Sequence, residues 1–126
     1  MPSLFRGMKA DGDCPLIEQS ARGLGVRTEG KQVDIQPDAE GKVHPGAGMS
    51  VAPDDPLLLP QHRRPAAYGG TGLDPVWAIL DDDLPDSLSY LADAIDHGVV
   101  EPAVVTSLAD YREALASTQP SWSQPS

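Results

Sequence analysis

Glycine and proline punctuate this chain so evenly that few stretches are free to form a long helix. Among 126 residues there are 12 Gly and 13 Pro, and most windows of 15 residues hold one that would interrupt the helical hydrogen-bond ladder. The prolines are spread out rather than clustered and apolar content is 40%, which favours a folded, loop-rich domain over a disordered chain. The length suits one domain with one core and is too short for two. Such a chain leans towards short strands joined by turns.

Four short segments read as strands. Residues 3–8 ("SLFRGM") and 32–36 ("QVDIQ") alternate in polarity, while 48–53 ("GMSVAP") and 75–80 ("PVWAIL") are apolar runs bounded by Gly and Pro. Residues 97–105 ("HGVVEPAVV") make a fifth, with Pro102 marking an edge, a bulge or a break. The segment "DSLSYLADAI" fits either element: Leu88, Leu91 and Ile95 suit a helix, and Leu88, Tyr90 and Ala92 suit a strand. The clearest helix covers 107–117, with Ser107 as N-cap, Asp110 in the first turn, and Leu108, Tyr111 and Leu115 on one face. A second helix is expected after Pro15, ending at Gly23. Residues 1–116 form the expected domain and 117–126 a polar tail containing Trp122.

The formal net charge of -10 argues against a duplex nucleic-acid binder, which must neutralise phosphates with clustered cations. The charge is unevenly distributed. Eight of the nine basic residues lie in the first 64 positions, whereas residues 65–126 carry only Arg112 against ten acids. A bound anion would draw its cationic contacts from the first half. The single cysteine, Cys14, excludes an internal disulfide, and no apolar run reaches the roughly 18 residues expected of a membrane helix. The start has no apolar core of a secretory signal, so the expected setting is a reducing cytoplasm, or export without a cleaved signal. No metal site is expected, because His44, His62, His97 and Cys14 stand alone in the sequence.

Several motifs nearly match nucleotide or hydrolase signatures. "GVRTEGKQ" (25–32) has the spacing of a P-loop, but Gln32 replaces the magnesium-binding hydroxyl and a helix does not follow. "GMSVA" resembles a nucleophile elbow around Ser50 that Pro53 would cut short, and "GLGVRT" lacks the third glycine of a dinucleotide fingerprint. "RRPAAYGGTGLDPVW" (63–77) admits two readings. Its glycines allow positive φ in a tight connection that feeds Val76 and Trp77 into the core, or they bring backbone N–H groups and the Thr71 hydroxyl close to a ligand.

Taken in order, "LFRG" (4–7), "LGVR" (24–27), "DI" (34–35), "GMSVAP" (48–53), "LPQHRRP" (59–65), "GGTGLDPVW" (69–77), "HGVVEPA" (97–103) and "YREALAST" (111–118) resemble a known family. It comprises small bacterial toxins related to type VI secretion effectors with an ADP-ribosyltransferase-like fold. The resemblance implies a compact, strand-dominated α+β fold, with two small sheets around a central cleft and helices at the rim. It implies NAD as substrate, action in the cytoplasm of a target cell, and a cognate immunity protein that covers the cleft. By the same resemblance Glu101 and His97 become catalytic candidates, Glu101 to stabilise positive charge as nicotinamide leaves. Arg6, Ser50, Gly70, Thr71, Arg63 and Arg64 become candidates for binding NAD, the arginines by forked donation to phosphate. A mono-ADP-ribosyltransferase is the first functional reading. The alternatives are an NAD-glycohydrolase on the same fold, a non-catalytic NAD- or protein-binding toxin module, and an RNA-modifying relative, which the acidic balance disfavours.

Overall fold

A computed structural model describes residues 3–125. Its centre is a five-stranded antiparallel sheet in the order β6-β1-β5-β8-β7. The strands are β1 (Ser3–Gly7), β5 (Met49–Pro53), β6 (Val76–Leu80), β7 (Leu88–Ala94) and β8 (His97–Pro102). Two-residue ladders flank it: β2 (Ala10–Asp11) with β3 (Cys14–Pro15), and β4 (Lys42–Val43) with β9 (Thr106–Ser107). Among the described residues one α-helix, α1 (Leu108–Ser117), follows β9 directly, and Ser107 caps it by accepting from the Asp110 N–H. This is the strand-dominated α+β fold expected.

The alternation of side chains along the strands divides the core in two. Leu4, Val51, Trp77, Ile79 and Val100 join Tyr111 and Leu115 of α1 in the larger cluster. Their neighbours Phe5, Ala52 and Val76 point to the opposite face, where Leu59 covers them. The covering chain between β5 and β6 has three single turns of 3₁₀ helix, at Pro56–Leu58, Gln61–Arg63 and Ala66–Tyr68.

Strand β5 is shared by two halves of the sheet. Its first residues pair with β8 (Met49↔Val100, Ser50↔Val99, Val51↔Gly98) and its last with β1 (Leu4↔Pro53, Phe5↔Ala52). The β1–β5 ladder therefore stops at Phe5, and beyond it the two strands separate. That fork is where a cleft opens.

Two expected elements are absent. Residues 16–23 form turns rather than a helix, because their carbonyls bond outside the segment: Arg22 O accepts from the Lys9 N–H, Leu16 O from the Leu24 N–H, and Ser20 O and Gly23 O from the Arg6 guanidinium. Residues 32–36 are not a strand, since Ile35 alone is buried and the Asp34 and Ile35 N–H groups both turn back to Arg27 O. The expected strand at 97–105 ends at Pro102, and the ambiguous segment before it is β7, which β8 pairs along its length. The chain after α1 folds back onto the body: Thr118 and Trp122 are buried, and Ser123 bridges to Ala78 on the outer edge of β6. Among the described residues no helix is long and apolar enough to cross a membrane.

Candidate functional site

At the fork between β1 and β5 lies a cavity of about 260 Å³. Arg6 and Gly7 from the end of β1, Ser50 and Ala52 from β5, and His97 from the start of β8 form its floor. Arg27 and Gln32 approach from the loop after β3. Leu58, Leu59, Pro60, His62 and Arg63 line it from the segment between β5 and β6, and Asp96 from the β7–β8 turn.

Arg6 is 6% exposed and its guanidinium holds the fork together. Nε and Nη2 donate to Gly23 O at 3.1 and 3.0 Å, Nη2 also donates to Ser20 O at 3.1 Å, and Nη1 donates to Ser50 O at 2.8 Å. Burial pulls its pKa down to about 10; Asp34 opposes that drop, and the neighbouring Arg63 and Arg27 add to it. It remains a cation at neutral pH, with most of its donors committed to backbone carbonyls.

Arg27 is held by a carboxylate. Its Nε and Nη2 donate to Asp34 Oδ2 and Oδ1 at 3.1 and 3.0 Å, its backbone N–H donates to Oδ2 at 2.7 Å, and Nη1 reaches Gln32 Oε1 at 3.2 Å. The hydrogen bond to Asp34 raises its pKa. Arg63 differs: among the described residues its side chain makes no ion pair, and desolvation followed by repulsion from Arg27 lowers its pKa. The wall bearing it sits tight against β1, since a Cβ on Gly7 would lie 2.5 Å from Arg63 O. A chain of net charge -10 thus gathers three guanidinium groups at one cleft. Arg27 is paired with Asp34, Arg6 is committed to backbone carbonyls, and among the described residues the Arg63 side chain makes neither an ion pair nor a hydrogen bond.

Of the residues singled out in the sequence, Arg6, Ser50, Arg63 and His97 converge here. Gly70, Thr71, Arg64 and Glu101 lie outside the cavity lining. The glycine loop satisfies itself: the N–H groups of Gly69, Gly70, Thr71 and Gly72 donate to Ala66 O, Pro65 O, Gln61 O and Arg64 O. No amide of that run is left to cradle a phosphate. A Cβ on Gly70 would strike Arg64 O, so the glycine serves a close backbone approach. Arg64 braces the same loop through Leu59 O and Tyr68 O, at 3.0 and 2.6 Å. Glu101 is 8% exposed and accepts from the Gly46 N–H at 3.0 Å. Four residue steps along the strand separate it from His97, about 13 Å at 3.3 Å per residue, so the two catalytic candidates lie towards opposite ends of β8.

The sequence reading missed Arg27, Gln32, His62 and Asp96. Arg27 stood inside the failed P-loop match, and only the Arg27–Asp34 contact across a seven-residue loop shows what it does. A model of the Tse2 ADP-ribosyltransferase toxin family matches residues 3–122.

The chain belongs to that family.

Searches of curated proteins and of solved structures returned no match. The Tse2 family is one of ADP-ribosyltransferases, and an ADP-ribosyltransferase takes its ADP-ribose from NAD, so NAD is the substrate the family implies. The cleft suits part of that molecule. Guanidinium groups suit a pyrophosphate's oxygens, and 260 Å³ is below the roughly 300–1,000 Å³ of pockets that enclose a whole drug-sized ligand. Among the described residues no group of three or more His, Cys, Asp or Glu side chains converges as a metal site.

Proposed function

We propose that this toxin binds the pyrophosphate and adjoining ribose of NAD in the β1–β5 fork and breaks the bond to nicotinamide, transferring ADP-ribose to a target molecule. The observation that carries this reading is Arg63, a cleft guanidinium that among the described residues is in no ion pair. Arg63 donates to the phosphate oxygens, while Arg27 and Arg6 supply positive potential from fixed positions. Asp96, the acid at the β7–β8 turn, faces the positive charge that develops on the ribose as nicotinamide leaves. Leu59, buried at 8% exposure, gives the wall bearing Arg63 an apolar side chain. The reaction takes place in the cytoplasm of a target cell, and a cognate immunity protein covers the fork.

The test is a binding titration with NAD alongside an assay for nicotinamide release and labelling of a cytosolic extract. Replacing a charge-assisted hydrogen bond worth about 1.5–3 kcal/mol predicts that Arg63→Ala weakens NAD binding about 10- to 150-fold. Thr71→Ala, outside the cleft, should bind as the parent does. Equal affinity of Arg63→Ala and parent would remove the fork as the binding site, and a folded parent with no nicotinamide release would remove catalysis. Nicotinamide release without labelling would favour a glycohydrolase, and binding without release a non-catalytic module.

A further inference from the structure

The β7–β8 hairpin carries an irregularity next to the cleft. Its ladder runs regularly from Leu88↔Pro102 to Ala92↔Gly98, then shifts so that Ala94, not Asp93, pairs with His97. Asp93 is the extra residue of a β-bulge, a device that re-aims a side chain. Its Oδ1 lies 2.7 Å from His97 Nδ1. An ionised carboxylate only accepts hydrogen bonds, so in the neutral imidazole this contact selects the tautomer with the hydrogen on Nδ1 and the lone pair on Nε2. His97 lines the arginine cleft and Asp93 does not. Both side chains are nearly half exposed, 42% and 47%, and a pair that open adds little to stability.

We infer that Asp93 is a positioning residue that holds the His97 imidazole as the general base for the acceptor of ADP-ribose. The inference rests on the NAD reading of the cleft. As the acceptor oxygen, of water or of a target hydroxyl, forms its bond to the ribose C1′, its proton passes to His97 Nε2. The C1′–N bond to nicotinamide breaks, and its electron pair neutralises the positively charged ring, which leaves as nicotinamide. The Asp93 carboxylate then balances the imidazolium until the proton passes to solvent. This logic is that of a carboxylate fixing the tautomer of a catalytic histidine.

The molecule holds its own control. Asp38 and His44 form a second exposed carboxylate–imidazole pair at 2.8 Å, outside the cleft lining. The experiment measures NAD-dependent nicotinamide release by the full chain and by the variants Asp93→Asn, His97→Ala, the double variant and His44→Ala, with melting temperatures and the downfield imidazole N–H proton resonances recorded for each. General-base catalysis contributes about 10²–10⁴-fold, so Asp93→Asn and His97→Ala should each lower kcat about 100-fold or more while KM for NAD stays within about threefold. The double variant should be no slower than His97→Ala, the His97 Nδ1–H resonance should disappear in Asp93→Asn, and His44→Ala should match the parent. An active parent whose Asp93→Asn variant keeps its kcat, or loses activity through KM or folding alone, overturns the dyad and leaves the NAD reading standing. A parent that binds NAD and releases no nicotinamide overturns the dyad and the catalytic part of that reading, and leaves only binding.

Discussion

Tyr111 joins helix α1 to the strands that frame the cleft. Its hydroxyl donates to Val100 O at 2.6 Å and accepts from the Met49 N–H at 3.1 Å, at the point where β5 and β8 begin to pair. Burial pushes the phenol well above its ordinary pKa, so it stays protonated and able to donate throughout the working range. Tyr111→Phe keeps the ring in the core and strips both backbone groups of this partner. Leaving a buried polar group unsatisfied costs about 1–3 kcal/mol, and urea unfolding should show that loss with an unchanged m-value. A change under about 0.5 kcal/mol, the scatter of neutral surface substitutions, would mean that the hydroxyl does not brace the strands. Arg6 presents the same lesson in reverse. Its place on the first strand was legible, but its donors go to Ser20, Gly23 and Ser50 carbonyls, a set brought together only by folding.

At the scale of elements, the loop that was expected to be helical is tied to the start of β6 by a two-pronged ion pair. Arg22 Nε and Nη2 donate to Asp74 Oδ2 and Oδ1 at 2.7 and 2.8 Å. That hydrogen bonding, and then the charge of Arg22, hold the Asp74 carboxyl below the usual carboxylate range. A carboxyl whose folded pKa is depressed stabilises fully above its unfolded value, near about 3.9, and loses that contribution as pH falls through the lower folded value. Asp74→Asn should therefore flatten the fall of melting temperature below about pH 4 and change little in its slope near neutrality. A parent-like acid limb in the variant would show that the pair does not couple loop to strand. The strands β1, β5, β6 and β8 were legible because Gly and Pro bound short apolar runs whose alternation is local. Helix α1 was legible from its cap and stripe. Residues 16–23 and 32–36 were not, because their partners, Lys9, Arg6 and Arg27, lie outside the local window. The site divides in the same way: Arg6, Ser50, Arg63 and His97 were visible as residues, whereas Arg27 and Asp93 owe their places to a closed loop and a bulge.

Across the whole molecule, residues after α1 complete both the core and the sheet. Trp122 is 3% exposed and its Nε1 donates to Thr118 Oγ1 at 2.9 Å, while Gln119 Nε2 reaches back to Pro15 O at 2.9 Å. The reciprocal bonds between Ala78 and Ser123, 2.7 and 2.9 Å, satisfy part of the β6 edge. Truncating a buried tryptophan costs about 3–5 kcal/mol, against a total of about 5–15 kcal/mol for a domain of this kind. Trp122→Ala should thus remove a large share of the stability, and deletion from residue 118 onward should go further by leaving the β6 edge open to another chain. Urea unfolding and light scattering separate these effects: the point variant should unfold earlier but remain monomeric after refolding, and the deletion should self-associate. Deletion of residues 124–126 should do neither, since among the described residues the hydrogen bonds that anchor this segment end at Ser123. If the deletion from 118 unfolds like the parent, the sheet is stable without its closing segment, and the buried indole fills space that the core closes without it.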